Sequence, residues 1–176
     1  MYLKTIFMKK LFCIFIALLL IACEKDNTPY ITEFANSQKA WNLFKASVNN
    51  NYSYVTYNGS VFGGYHETKI TVQNGKVTGR AFLVGIYPPN AHVLDIKDNW
   101  TEDAATLGTH QQGAPLLTLD DIYAKGKSEW LSADKTKNDI IFETDTRSLI
   151  SSCGYVPNGC MDDCFSGVHI KSIIGL

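Results

Sequence analysis

Hydrophobic and polar residues alternate most regularly in the stretch TKITVQNGKVTGRAFLVG, which runs from Thr68 to Gly85. Asn74-Gly75 in its middle is the favoured pair for a two-residue hairpin loop, because both positions take positive φ. Folding about that turn sets Val72 opposite Val77 and Ile70 opposite Gly79, with Thr71 facing Thr78 and Lys69 facing Arg80. One face then carries Ile70, Val72, Val77, Ala81 and Leu83; the other carries Lys69, Thr71, Gln73, Lys76, Thr78 and Arg80. A period of two with one dry and one wet face predicts an antiparallel pair over a core.

The rest of the pattern supplies further elements. In NSQKAWNLFKASVNNNY, Trp41, Phe44 and Val48 stand on one helical face, after Ser37 as cap and before the stop at Asn49-Asn50-Asn51. YSYVTYNGSVF is rich in β-branched and aromatic residues and reads as a strand; Tyr52 and Tyr54 share one face and Tyr57 takes the other. Pro88-Pro89 ends the sheet run, and the segment from there to Leu117 reads as one long irregular loop, a frequent form for binding elements. Trp100 is the candidate for an exposed contact in that loop, with His92 and His110 as companion ligand-binding residues. Thr118 and Asp121 form a capping box with Asp in place of Glu. Leu119, Ile122, Tyr123 and Trp130 then give a second amphipathic helix, weakened by Gly126. NDIIFETD, RSLISSCGYV and SGVHIKSII read as strands, the last two joined by the turn-rich PNGCMDDCF. Helix, three strands, helix, three strands is an α+β order. It predicts an antiparallel sheet of about five or six strands with one face covered by two helices.

The amino terminus breaks this rhythm. The apolar run from Leu11 to Ala22 follows Lys9 and Lys10, and it is shorter than the roughly 20 residues that span a bilayer. A charged start, a short apolar centre and a small-residue end make a secretory signal peptide. Its last residues, Leu20-Ile21-Ala22-Cys23, resemble the lipobox of bacterial lipoproteins. The resemblance implies cleavage before Cys23 and lipid attachment to its thiol, which alone forms the thioether. Several acyl chains anchor firmly, since each buried methylene contributes about 0.8 kcal/mol. The signal is already complete from Met8, which points to translation starting there. Residues 1–22 thus read as the signal, 23–34 as a flexible tether and 35–176 as a single domain. Glu24, Lys25 and Asp26 resemble surface-export signals of Bacteroidetes lipoproteins, although a solvated linker accounts for them equally well.

Charge and cysteines refine the picture. The 176 residues carry a net charge of −1, and loss of a signal holding Lys4, Lys9, Lys10 and no acid makes it −4. Such a chain does not suit nucleic acid. After Cys23 the cysteines are Cys153, Cys160 and Cys164. An exported protein meets oxidising conditions, so a disulfide is expected. A hairpin around VPNG would let Cys153 bridge to Cys164 with Cys160 free at the tip; Cys153–Cys160 and Cys160–Cys164 are the rival pairings. A metal site of the three thiolates with His169 or Asp163 is the alternative, but the spacing lacks the usual paired zinc-ligand pattern. Asp162-Asp163 lacks the regular acidic series of a calcium loop. No H-E-x-x-H, G-x-S-x-G, P-loop or G-x-G-x-x-G is present, so no catalytic residue, metal or cofactor is assigned.

Taken together, the helical Trp41, NYSYVTY, ITVQNGKV, the helix opening LTLDDIY and the closing GYVPNGCMDDCFSGVHIKSI resemble a domain-of-unknown-function family of small bacterial lipoproteins. The similarity runs from Trp41 to Ile173. It departs at NGSVFGGYHE, where that family often has a cysteine pair. The resemblance supports the fold and implies no known reaction. The resulting expectation is a lipid-anchored protein of the bacterial cell envelope, at the outer membrane. It is expected to be non-catalytic and to bind a protein, peptide or glycan partner. An envelope hydrolase or thiol enzyme is the alternative, with the spare thiol as its hook.

Overall fold

A proline at the first helical position has no N–H to leave unsatisfied, and Pro29 opens α1 (Pro29–Ser47). The structure, a computed structural model, describes residues 29–89 and 92–176. The signal segment, Cys23 and the tether as far as residue 28 lie outside the described residues. Helix α1 starts within the stretch expected to be tether. Phe34, seven positions before Trp41 and on the same face, is buried against Phe142 and Tyr123, with ring centroids 5.3 and 5.7 Å away. Ser37 is an interior residue of this helix and not its cap; it is fully buried, with Oγ 2.7 Å from the Tyr123 hydroxyl. The helix ends where Asn49 and Asn50 take left-handed φ values of 48° and 58°, a conformation asparagine tolerates better than most residues.

Four strands follow: β1 (Tyr52–Gly59), β2 (Gly64–Gln73), β3 (Lys76–Ile86) and β4 (Asp95–Glu102). Helix α2 (Leu119–Lys125) continues into a π-helical turn, Gly126–Trp130, and leads to β5 (Asn138–Thr144), β6 (Ile150–Pro157) and β7 (Ser166–Gly175). The sheet has seven strands rather than five or six, in the order β4-β3-β2-β1-β7-β6-β5. Every neighbouring pair is antiparallel. Two meanders therefore share one sheet, joined where β7 pairs with β1. The added strand is β4, inside the segment expected to be one irregular loop. Its sequence, DIKDNWTE, is almost all exposed, so its period of two carries no hydrophobic signature.

The Asn74-Gly75 turn has φ values of 50° and 75°, and Val72 pairs with Val77, both as expected. The register then slips: Thr71 pairs with Gly79, Ile70 with Arg80 and Thr68 with Phe82. Thr78 is the extra residue of a β-bulge, and a glycine beside it is a common mark of such a site. The slip exchanges the two faces of β3. Arg80 and Phe82 turn inward and are buried, whereas Ala81 and Leu83 face the other way. The expected assignment of Arg80 to the wet face is thereby corrected.

On the inner face, Tyr52, Tyr54, Ile70, Val72, Cys153 and Ile173 are all within 3% of full burial. Trp41 of α1 stands edge-on to Tyr52 at 4.9 Å and stacks on Tyr123 of α2 at 6.2 Å. Its Nε1 donates to Asp120 Oδ1 at 2.8 Å. Fully burying a side chain of this size contributes on the order of 1.5–3 kcal/mol, so this aromatic group is a leading source of stability. The capping box on α2 forms as expected, with Thr118 and Asp121 bonding each other's backbone N–H.

The cysteines differ from expectation. Cys160 and Cys164 form the disulfide, with Cα atoms 6.3 Å apart, and Cys153 is a buried free thiol. The reason is register. The β6–β7 ladder opens with Tyr155 opposite Ser166, so Cys153 lies inside it, opposite Val168, and projects into the core. Cys164 lies before the ladder begins, in the turn that also holds Cys160.

Candidate functional site

The chain between β4 and α2, residues 103–118, crosses the inner face of the sheet as a strap. Its clasp is the Arg80–Glu102 pair. Arg80 Nε and Nη2 donate to the two carboxylate oxygens at 2.9 and 3.0 Å, and the two side chains are 5% and 0% exposed. The guanidinium also donates to the carbonyls of Ala114 (3.0 Å) and His110 (2.8 Å). Glu102 in turn accepts the backbone N–H groups of Gly108 (3.0 Å) and His110 (2.8 Å). Both buried charges are thus paired and bonded to backbone, which is the condition under which burying them is tolerable. The Arg80 guanidinium holds the Glu102 carboxyl well below the usual carboxylate range; burial pushes the other way, and the two N–H bonds add to the lowering.

Two more ties fix the strap to the sheet. The Ala114 N–H donates to Thr68 Oγ1 at 3.0 Å, and the Tyr54 hydroxyl donates to the Leu117 carbonyl at 2.6 Å. Trp100 belongs to strand β4 and not to a loop. Its ring stacks on His110 at 4.2 Å and on Phe82 at 5.3 Å, with the Arg80 guanidinium 4.9 Å from its centroid. Trp100 and His110 are therefore brought together, as parts of the clasp. His92 is exposed, and among the described residues it makes no hydrogen bond or ring contact with Trp100 or His110.

Below the strap lies a cleft of about 650 Å3. Its floor is Tyr54, Thr56, Thr68 and Phe82 from the first meander. Ala114, Pro115 and Leu117 form the strap wall, and Ile122, Trp130 and Val168 form the wall opposite. Asn58, His66, Gln112, Lys125 and Ser166 supply its polar lining. The floor is less polar than its residue names suggest. The Tyr54 hydroxyl and Thr68 Oγ1 are already engaged by the strap, and Thr56 Oγ1 donates to the Thr68 carbonyl at 3.4 Å. Burial pushes the Tyr54 hydroxyl far up, so that it stays protonated. Desolvation lowers the pKa of His169, whose ring stacks on Phe165 at 4.0 Å and lies tilted against Tyr57 at 5.5 Å.

Among the described residues, the thiols offer the cleft no nucleophile. Cys153 is absent from its lining, and burial pushes that thiol up to about 12; a reactive cysteine is exposed and lowered. Cys160 and Cys164 are tied to each other. Among the described residues, no group of three or more His, Cys, Asp or Glu is placed to hold a metal ion. No helix among them is long and apolar enough to cross a membrane.

The site residues that sequence reasoning missed are Arg80, Glu102, Phe82, Lys125 and Trp130 as a cleft wall. Gly79 within a strand pattern was the available signal for the bulge that turns Arg80 inward. Comparison with protein-family models, curated proteins and solved structures gives no match for this chain.

Proposed function

We propose that this protein is a lipid-anchored module of the bacterial cell envelope that binds a small, largely apolar molecule in the cleft beneath the strap. The observation that carries the reading is the cleft itself. Its volume of about 650 Å3 falls within the range of small-molecule sites, roughly 300–1,000 Å3. Its floor hydroxyls are already paired, so an entering apolar surface displaces water without leaving them unsatisfied. The Arg80–Glu102 clasp holds the strap wall in place beforehand, which lowers the ordering cost of binding. In this reading α1 and α2 cover the rest of the inner face, and the partner is a small molecule rather than a protein, peptide or glycan. The anchor and the outer-membrane address rest on the signal segment and on Cys23.

Titration of the purified protein with the neutral fluorophore N-phenyl-1-naphthylamine tests the reading. Saturable binding at one site is expected. Val84→Trp, which narrows the cleft at a half-buried lining position, should abolish it while thermal unfolding stays cooperative. No saturable binding, or binding that Val84→Trp leaves unchanged, overturns the cleft as a ligand site.

A further inference from the structure

We infer that the ligand of this cleft is an anionic amphiphile: an apolar body that fills the space under the strap and a carboxylate- or sulfonate-like head held at Lys125. The inference rests on the small-molecule reading above and adds the sign and place of the charge. Among the described residues, Lys125, the last residue of α2, is the only lysine or arginine lining the cleft, and no aspartate or glutamate lines it. A concave site with low-dielectric walls and charge of one sign favours an opposite charge on its ligand. Lys125 Nζ stands 5.8 Å from the centroid of the Trp130 ring, which forms an apolar wall. The ammonium therefore lies beside the space that an apolar body would occupy. Its present partner is Glu129, one helical turn on, at 3.4 Å, with both side chains well exposed. A solvent-exposed pair of this kind contributes little, so an anion presented from the cleft competes on good terms. His66, an exposed lining residue, offers a ring N–H as a further donor. Deeper in, Phe82, Ile122 and Trp130 are buried and give a head group nothing to bond except through the indole N–H.

Two fluorophores that share a skeleton and differ by one sulfonate group decide the matter: N-phenyl-1-naphthylamine and 1-anilinonaphthalene-8-sulfonate. Both are titrated into the purified protein and into three variants. The sulfonate probe is expected to bind more tightly, by roughly two- to fivefold, the size of one partly exposed ion pair. Lys125→Met should erase that advantage, bringing the ratio of the two probes' affinities to about one. Glu129→Gln, which removes the competing carboxylate, should strengthen the sulfonate probe alone. Val84→Trp should abolish both, which assigns the signal to the cleft and not to the outer surface. Equal affinities in the parent protein, or a sulfonate advantage that survives Lys125→Met, overturn the inference while leaving the small-molecule reading intact. Failure of both probes to bind overturns the two together.

Discussion

Arg80 is paired with Ile70 across the β2–β3 ladder, one residue out of step with the register set by the Asn74-Gly75 turn at Val72 and Val77. That single step carries a guanidinium from the solvent face to the core, where Glu102 meets it from β4. Arg80→Met leaves a buried carboxylate without its counter-charge. Removing one partner of a buried pair costs about 3–5 kcal/mol. Urea unfolding should show that loss, and amide exchange should show the Gly108 and His110 N–H groups losing protection first. The double change Arg80→Met with Glu102→Leu removes both charges and should recover much of the stability. A single variant as stable as the parent would mean that the pair is open to water.

Gly75→Val probes the turn itself. Gly75 has φ 75°, and a Cβ there would lie 2.5 Å from Asn50 Nδ2, at the end of α1. A β-branched residue resists that φ, and the expected loss is on the order of 1–3 kcal/mol. The denaturant midpoint reads it directly; an unchanged midpoint would contradict the turn geometry.

Alkaline stability follows from the inner face. Burial pushes the Cys153 thiol up to about 12, whereas an unfolded thiol titrates near 8.5. The folded state keeps this proton longer. Its contribution is therefore whole below about pH 8.5 and is lost as pH rises toward about 12, at roughly 1.4 kcal/mol per pH unit. Tyr52, raised to about 12 mainly by desolvation, adds a second loss of the same sign as pH rises above about 10. Urea unfolding at a series of alkaline pH values should show stability falling. In Cys153→Ala the fall between about pH 9 and 10 should be shallower, whatever the variant's stability at neutral pH. An equal slope in both proteins would place the thiol in contact with solvent.

The disulfide between Cys160 and Cys164 spans a separation of four residues in an exposed turn. So short a loop gains about 2 kcal/mol at most in the chain-entropy model. The double change to serine should lower the midpoint modestly and leave the cleft's probe binding unaltered. Non-reducing peptide mapping should recover the Cys160–Cys164 peptide and find Cys153 as a free thiol. A bridge that includes Cys153 would require β6 to turn its inner face outward.

Cys23→Ser tests the anchor, which rests on the chain's Leu-Ile-Ala-Cys ending to its apolar run. Metabolic labelling with a fatty acid should mark the parent and leave the variant unlabelled. A variant that labels normally would remove the lipid attachment from Cys23.

Legibility along the chain followed how strongly each residue's environment is written in its neighbours. The capping box at Thr118 and Asp121 and the Asn74-Gly75 turn rest on local backbone chemistry, and both form as read. Strand β4 was hidden because an edge strand with charged residues on both faces leaves no hydrophobic period, although charge is a common guard of an edge. Phe34 was hidden because an aromatic seven positions before Trp41 counts only once the helix is known to begin at Pro29. The clasp was hidden for a different reason. Arg80 and Glu102 lie 22 positions apart, and their meeting depends on a bulge that shifts every later residue of β3 by one. Lys125 and Trp130 could be placed on a helix from their spacing, but not on the wall of a cleft whose other side is a strap 103–118.

Strand β7 follows every other strand along the chain, yet it lies inside the sheet, between β1 and β6. A chain that emerges from its amino end can complete the meander β1 to β4 early, but β1 then waits with one row of N–H and C=O groups bare. The waiting edge runs through Tyr52, Ser53, Tyr54, Val55 and Thr56, a segment rich in the side chains that pair readily with other strands. Its native partner is separated from it by more than a hundred residues, so closure is a slow, non-local event. That delay leaves the β1 edge open to pairing until β7 arrives. It also marks the interval in which two unfinished copies are most prone to pair through β1, and in which a holding chaperone would find its most useful grip.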